Sequence, residues 1–246
     1  MTKKPPLTGV QTVYDSNGEI LLAGVWESKN LFLAVSGGDT SYWKGKRVLD
    51  LGSNSSGLSV ELARAGASVV AAEPDPYKNS RAPALPFLES IIKEEDLDLT
   101  LSDGGLFDAH KLGRFDTVLC LGLIYHFRDQ QYVLDYLSTL DMKDLVISNQ
   151  THPGDQLAMF NRLDPSVLPA KFWENYKEPI SGWHPTRPLF ERMMQFAGFT
   201  NVIALTDDSV NFPKKPFEGI TNSAYYRATR GRNTDPEKSR RQYYPR

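Results

Sequence analysis

The most informative stretch of this 246-residue chain is Val48-Leu49-Asp50-Leu51-Gly52-Ser53-Asn54-Ser55-Ser56-Gly57. A short apolar run leads into a polar turn bracketed by Gly52 and Gly57. Glycines between a strand and a helix let a ligand approach the backbone closely. Asn54 stands in the middle of the turn, and Asn tolerates left-handed backbone angles better than most residues. The stretch therefore predicts a strand, a ligand-binding turn and the start of a helix.

The charge beside this turn indicates which kind of ligand it binds. Asp50 lies in the strand just before Gly52. A carboxylate at that point repels a pyrophosphate and attracts the ammonium and sulfonium groups of S-adenosylmethionine (SAM). The turn also lacks the G-x-G-x-x-G spacing that cradles a pyrophosphate. Both observations argue against a nucleotide-dependent oxidoreductase.

Strand and helix patterns alternate along most of the chain, which predicts an α/β fold with a mostly parallel sheet. The predicted strands cover residues 46–51, 68–72, 97–101, 115–121, 145–148, 202–205 and 223–229. The predicted helices cover residues 21–35, 58–65, 86–95, 129–140 and 186–197. The last two strands suggest an antiparallel hairpin at the sheet edge.

Two further acidic residues follow predicted strands. Glu73, with Pro74 after it, ends the second strand about twenty residues beyond the glycine turn, where an acid can accept hydrogen bonds from both ribose hydroxyls. Asp103, followed by Gly104, comes after the third strand. It is either a ligand of the adenine amino group or a turn-forming Asp.

These residues resemble the class I SAM-dependent methyltransferases, and the resemblance extends from about Trp43 to Arg230. It implies a Rossmann-like seven-stranded sheet, mostly parallel with the last strand antiparallel and with helices on both faces. It also implies SAM as cofactor and S-adenosylhomocysteine (SAH) as product. The residues expected to contact the cofactor are Trp26, Asp50, Gly52, Ser53, Asn54, Gly57, Glu73, Pro74, Asp103, Gly104 and Leu121.

A narrower resemblance lies at the end of the fourth strand. Gly122-Leu123-Ile124-Tyr125-His126 looks like the G-x-x-Y-H signature of the tRNA wobble-uridine carboxymethyltransferases and their small-molecule relatives. Trp26 has the spacing of a cofactor-contacting Trp in those enzymes. Their lysines for the extra carboxylate of carboxy-SAM are missing, since the matching stretch is Gly9-Val10-Gln11-Thr12. Ordinary SAM and a methyl product are therefore expected.

The candidate catalytic residues are His126, Tyr125 and His184. An oxygen acceptor must lose its proton, and His suits that task near neutral pH. His126 is the first candidate base, with a structural His at a helix start as the alternative. His184 precedes a helix and is a candidate for the acceptor pocket, while Tyr125 is a candidate for contact with a carboxylate.

The composition of the chain bears on whether it binds nucleic acid, metal ions or membranes. The formal net charge is -2, so no global basic excess attracts nucleic acid. The single Cys120 and four scattered His residues offer no metal-ligand spacing. No apolar run approaches the length of a membrane span, and a cytoplasmic location is expected.

The predicted organisation has an N-terminal helical segment over 1–42, a SAM-binding domain over 43–230 and a basic tail over 231–246. Residues 149–183 are interpreted as an insertion that forms a lid or an acceptor wall. The favoured function is O- or N-methylation of a small molecule. A tRNA- or RNA-modifying enzyme, for which the tail would matter, and a non-catalytic SAM-binding module remain open.

Overall fold

The computed structural model describes residues 9–74, 81–152, 154–161, 183–205 and 222–231. Residues 162–182 of the predicted insertion and 232–246 of the predicted tail lie outside these ranges. Within the described ranges, no helix has both the length and the apolar character that crossing a membrane requires.

The described strands, in chain order, are β1 Gly9–Gln11, β2 Val13–Tyr14, β3 Ile20–Leu22, β4 Gly24–Trp26, β5 Arg47–Leu51, β6 Ser68–Ala72, β7 Leu99–Ser102, β8 Phe115–Cys120, β9 Met142–Thr151, β10 Met159–Asn161, β11 Trp183–Pro185, β12 Phe199–Ala204 and β13 Asn222–Arg230. The described helices are α1 Ser28–Ser36, α2 Gly57–Arg64, α3 Leu85–Glu94, α4 Gln130–Thr139 and α5 Arg187–Phe196.

Seven strands form one sheet in the order β12-β13-β9-β8-β5-β6-β7. The pairs β5–β6 and β6–β7 are parallel. The last strand, β13, is antiparallel to both of its neighbours, β12 and β9. The predicted Rossmann-like sheet with an antiparallel last strand is therefore confirmed, as is the closing hairpin.

The chain forms two compact units. The first contains the described residues up to Leu119 together with Asp141–Lys143, and it includes the glycine turn. The second contains Cys120–Leu140 and the described residues from Asp144 onward. Within the second unit, β10 of the predicted 149–183 insertion pairs antiparallel with β11, which begins at the last residue of that insertion, while residues 149–151 belong to β9.

The core of the first unit accounts for the apolar runs in its sequence. Val48, Leu49 and Leu51 of β5 are fully buried, and so are Leu58 and Leu62 of α2. A parallel strand covered on both faces carries a continuous apolar run rather than an alternating one. Each such Leu or Val contributes about 1.5–3 kcal/mol by leaving water. This packing fixes the strand and the helix on the two sides of the turn.

The N-terminal region corrects the helix predicted over residues 21–35. Only its second half is helical, as α1, while β3 and β4 occupy residues 20–26. β4 pairs in parallel with β1, with Gly24 opposite Gly9. A Cβ on Gly24 would lie 2.2 Å from the carbonyl carbon of Gln11, so this pairing depends on glycine. The helix-like apolar spacing was misleading because strand pairing with a distant segment overrides local periodicity.

We expect Gly24→Ala to lower the free energy of unfolding by about 2–4 kcal/mol, since the backbone of Gln11 must shift to admit a methyl group. Urea denaturation followed by circular dichroism measures this. The matched control is Gly105→Ala, whose Cβ would meet only ordinary contacts, 3.4 Å or more away. Equal stabilities of the two variants would contradict the close approach.

Candidate functional site

The glycine turn has an unusual backbone that distant residues hold in place. Gly52, Asn54 and Ser56 all have positive φ angles, of 69°, 52° and 57°. The Gly52 and Ser53 amides both donate to the carbonyl of Ala72 at the end of β6, at 2.9 and 3.1 Å. The predicted tolerance of Asn54 for a left-handed conformation is confirmed. The turn is thereby fixed against the neighbouring strand end.

Asp50 lies buried beneath this turn. Its side chain is 2% exposed, and its Oδ2 accepts a hydrogen bond of 2.7 Å from Ser59 Oγ on α2. Burial raises the pKa of Asp50 from its ordinary 3.8 to about 6, because the ionised form loses its hydration. The bond from Ser59 and the charge of Arg81 oppose this shift, while Glu73 adds to it.

Glu73 and Asp103 follow β6 and β7 in the first unit, as the sequence predicted. Glu73 is 4% exposed, and its Oε2 accepts a 2.7 Å bond from the amide of Asn54. Glu73 therefore links the glycine turn directly to the end of β6. Asp103 is exposed, and its neighbour Gly104 and the earlier Pro74 are half-buried. The positions predicted for ribose and adenine contacts thus lie at consecutive strand ends.

Sequence reasoning missed Arg81, which is only 4% exposed. Its guanidinium donates to Ser53 Oγ at 2.8 Å, to the Ala71 carbonyl at 3.0 Å and to the Ser102 carbonyl at 3.0 Å. Ser53 is itself fully buried, so its side chain serves this internal network. No local motif marks Arg81, since its partners stand ten or more residues away in sequence.

The N-terminal strands cover the start of α2, which is a second feature that the sequence did not predict. Gln11 Oε1 accepts the Leu58 amide at 2.9 Å, satisfying one of the donors that a helix start leaves unpaired. A Cβ on Gly57 would lie 2.1 Å from the Thr12 carbonyl oxygen. Gly57 is thus required by packing. Trp26 of β4 pairs with Gln11 in register and is half-buried beside this covering strand.

The second unit holds the residues predicted to act on the acceptor. Gly122, at φ 63°, donates its amide to Ser148 Oγ at 2.9 Å. The rings of Tyr125 and His126 lie 4.5 Å apart in a short 3-10 turn, where His126 is exposed and Tyr125 half-buried. Leu121, a predicted cofactor contact, is half-buried just after β8.

A buried polar chain crosses the same unit. Asn149 Nδ2 donates to Gln130 Oε1 at 2.9 Å, and Gln130 Nε2 donates to the Trp183 carbonyl at 2.8 Å. His184, next to Trp183, is 1% exposed, whereas His126 is open to solvent.

Within the first and second units as described, no three His, Cys, Asp or Glu side chains converge to hold a metal ion.

The chain matches a known protein family over most of its length. The family model, described as a methyltransferase domain, covers residues 39–204. No curated protein sequence matches the chain. Among solved structures, the chain resembles the N-terminal domain of EvdMO1 in the presence of SAH and D-fucose, at 18% identity over 92% of each chain with a TM-score of 0.62.

Two other structures share the fold. Magnesium protoporphyrin IX methyltransferase (ChlM) from Synechocystis PCC 6803 with bound SAM is 17% identical, covering 82% of this chain and 78% of its own, with a TM-score of 0.53. An O-methyltransferase family protein from Burkholderia thailandensis is 16% identical, covering 84% and 57%, with a TM-score of 0.56. At these identities the likeness establishes the fold.

The buried Asp50 yields a prediction about stability. An acid with a raised pKa binds protons preferentially in the folded state, so stability falls as the pH rises from about 4 to about 6 and stays lower above that. We expect Asp50→Asn to raise the free energy of unfolding at pH 7 by up to about 3 kcal/mol and to flatten this dependence. Urea denaturation between pH 4 and 8 measures both effects.

The control is Asp116→Asn in the same unit. A hydrogen bond from Lys143 lowers the pKa of Asp116, so its ionised form is favoured in the folded protein. This variant should gain no stability at pH 7. A loss of stability at pH 7 in Asp50→Asn would contradict the predicted cost of burying that charge.

Proposed function

This chain belongs to the methyltransferase-domain family, and we propose that it transfers the methyl group of SAM to an oxygen or nitrogen of a small molecule. The observation that carries the proposal is the direct link between Glu73 and the glycine turn, with Asp50 buried below it. The family match over residues 39–204 supports the reaction class.

The charges of the acidic side chains in the first unit suit SAM better than a phosphate-bearing nucleotide. Asp50, Glu73 and Asp103 are acids, and they lie near one another closely enough for their charges to act on Arg81. The Arg81 guanidinium already donates to three internal oxygens and is 4% exposed, so its side chain has few donors left for a phosphate. We call the turn over residues 52–57, together with Asp50, Glu73 and Asp103, the proposed cofactor crevice. Its negative charge favours a cation and rejects a pyrophosphate.

Each residue predicted to contact the cofactor has a proposed task. Glu73 accepts hydrogen bonds from the ribose hydroxyls. Asp103, with Gly104 next to it in the sequence, accepts a hydrogen bond from the adenine amino group. The backbone of Gly52, Ser53 and Asn54 lies against the ligand, and Asp50 supplies negative potential. Packing contacts with the cofactor are proposed for Trp26, Gly57, Pro74 and Leu121.

Similar structures guide the choice of acceptor. The EvdMO1 domain was crystallised with SAH and D-fucose, and the Burkholderia thailandensis protein is described as an O-methyltransferase family protein. A sugar or another small hydroxyl compound is therefore the acceptor class that we propose first.

When bound, SAM supplies an electrophilic methyl group on a sulfonium. The protein then has to align the acceptor and, for a hydroxyl, to remove its proton. We assign the removal of this proton to His126, because its side chain is exposed after β8 and ligands of open α/β sheets bind beyond the strand ends. Tyr125, with its ring 4.5 Å from that of His126, positions the imidazole.

His184 and Tyr225 are less suited to accept that proton. His184 is 1% exposed, so we assign it to the inner wall of the acceptor pocket. Burial raises the pKa of Tyr225 well above its usual value, which keeps its hydroxyl protonated at neutral pH. His126 is thus the better candidate base.

We expect Glu73→Gln to weaken SAM binding about 10–100-fold, because hydrogen bonds to a charged acceptor are worth about 1.5–3 kcal/mol. Isothermal titration calorimetry with SAM, SAH, NAD and ATP makes the measurement. The unaltered protein should bind SAM and SAH and neither pyrophosphate nucleotide. The control is Glu89→Gln on the exposed face of α3, which should bind SAM normally.

Binding of NAD or ATP at this turn without SAM binding would overturn the proposed cofactor. Binding of SAM with an unchanged constant in Glu73→Gln would leave the cofactor in place but move the ribose site elsewhere.

The proposed base is tested by His126→Ala. With a hydroxyl acceptor selected from a panel that includes D-fucose, kcat should fall about 100-fold, the usual scale for a general base. The SAM dissociation constant should stay within about twofold, since the proposed role concerns only the acceptor proton. The matched control, His110→Ala, replaces another exposed His. An unchanged kcat in His126→Ala would support a structural role for this residue.

A further inference from the structure

Arg81 connects three successive strands of the first unit at one end. Its partners are Ser53 just after β5, Ala71 in β6 and Ser102 at the end of β7, at 2.8–3.0 Å. The guanidinium is planar and presents its donors in a fixed fork, so three simultaneous bonds restrict the relative positions of these strand ends. A lysine ammonium cannot reproduce that geometry.

Arg81 is also a buried positive charge among acids. Its guanidinium interacts electrostatically with Glu73, Asp103 and Asp50, in that order of strength. Burial lowers the pKa of Arg81, and these three carboxylates oppose the shift. Its Nε makes no hydrogen bond to any part of the chain that the structure describes. A charge kept in such surroundings is costly unless it is compensated by its neighbours.

The two properties act on different features of ligand binding. The fork determines where the turn and the strand ends lie, which affects any ligand of the crevice equally. The charge reduces the negative potential of the crevice, which affects only charged parts of a ligand. SAM and SAH are a suitable pair to separate them, because they differ by one methyl group and one positive charge.

We propose that Arg81 is a positioning residue that holds the cofactor-binding strand ends through its fork and sets the ratio of SAM to SAH affinity through its charge. This inference rests on the proposed function. By partly cancelling the carboxylates, Arg81 limits the preference for the cation over the neutral product.

The test measures dissociation constants for SAM and SAH by isothermal titration calorimetry in Arg81→Met, Arg81→Gln and Arg81→Lys. In the two neutral variants, the ratio of the SAH constant to the SAM constant should rise about fivefold, the effect of one charge in partly screened surroundings. In Arg81→Lys the ratio should stay within about twofold, while both affinities should fall about tenfold as the fork is lost.

The control is Arg64→Met in the same unit. Arg64 also makes several bonds, to Glu95, to Glu61 and to the Tyr14 carbonyl, but none to the strand ends of the crevice. Its loss should change stability and leave both dissociation constants, and hence their ratio, within about twofold.

The outcomes separate the two proposals. If the unaltered protein binds neither SAM nor SAH, the proposed function fails. If it binds both and the neutral variants keep its ratio, the charge effect is overturned while the function stands. Wild-type affinities in Arg81→Lys would overturn the fork effect. If circular dichroism shows that both neutral variants fail to fold, Arg81 is a folding requirement and the inference is overturned.

Discussion

The first unit depends on a carboxylate that is buried where its charge is poorly hydrated. Asp50 lies under the glycine turn, and the donor that helps to compensate it, Ser59, comes from the helix that the turn introduces. A buried charge is tolerated only where hydrogen bonds and opposite charges approach it closely. Asp50 therefore links the strand to the helix that follows the turn through Ser59, while the burial of its charge costs stability at neutral pH.

The turn is held from both directions along the chain. From the C-terminal side, the Ala72 carbonyl and Glu73 bind the amides of Gly52, Ser53 and Asn54. From the N-terminal side, the first strand lies over the start of α2, where Gln11 binds the Leu58 amide. The positive φ angles of the non-glycine residues Asn54 and Ser56 cost conformational energy, and these contacts offset that cost. The turn is therefore held by contacts within the chain itself.

The sequence could predict the features that depend on neighbouring residues. Continuous apolar runs marked β5 and β6, and acids directly after strands marked Glu73 and Asp103. Features that depend on distant residues left no local signal. Arg81 reaches Ser53 across 28 positions, and Gln11 reaches Leu58 across 47. The error at residues 20–26 has the same cause, because the conformation at Gly24 is set by pairing with a parallel strand fifteen residues earlier rather than by local periodicity.

Glu73 shows why stability and ligand binding are coupled in this fold. The same carboxylate that is proposed to receive the ribose hydroxyls also accepts the Asn54 amide, so ligand and turn share one group. Any shift of the turn changes the geometry offered to the ligand, and a ligand that satisfies Glu73 strengthens the link between turn and strand. The excess of acids over cations in the crevice acts in the same direction. Repulsion between Asp50 and Glu73 lowers the stability of the folded protein, and a cationic ligand would relieve that repulsion. The same charges therefore contribute to the free energy of ligand binding and to the free energy of unfolding.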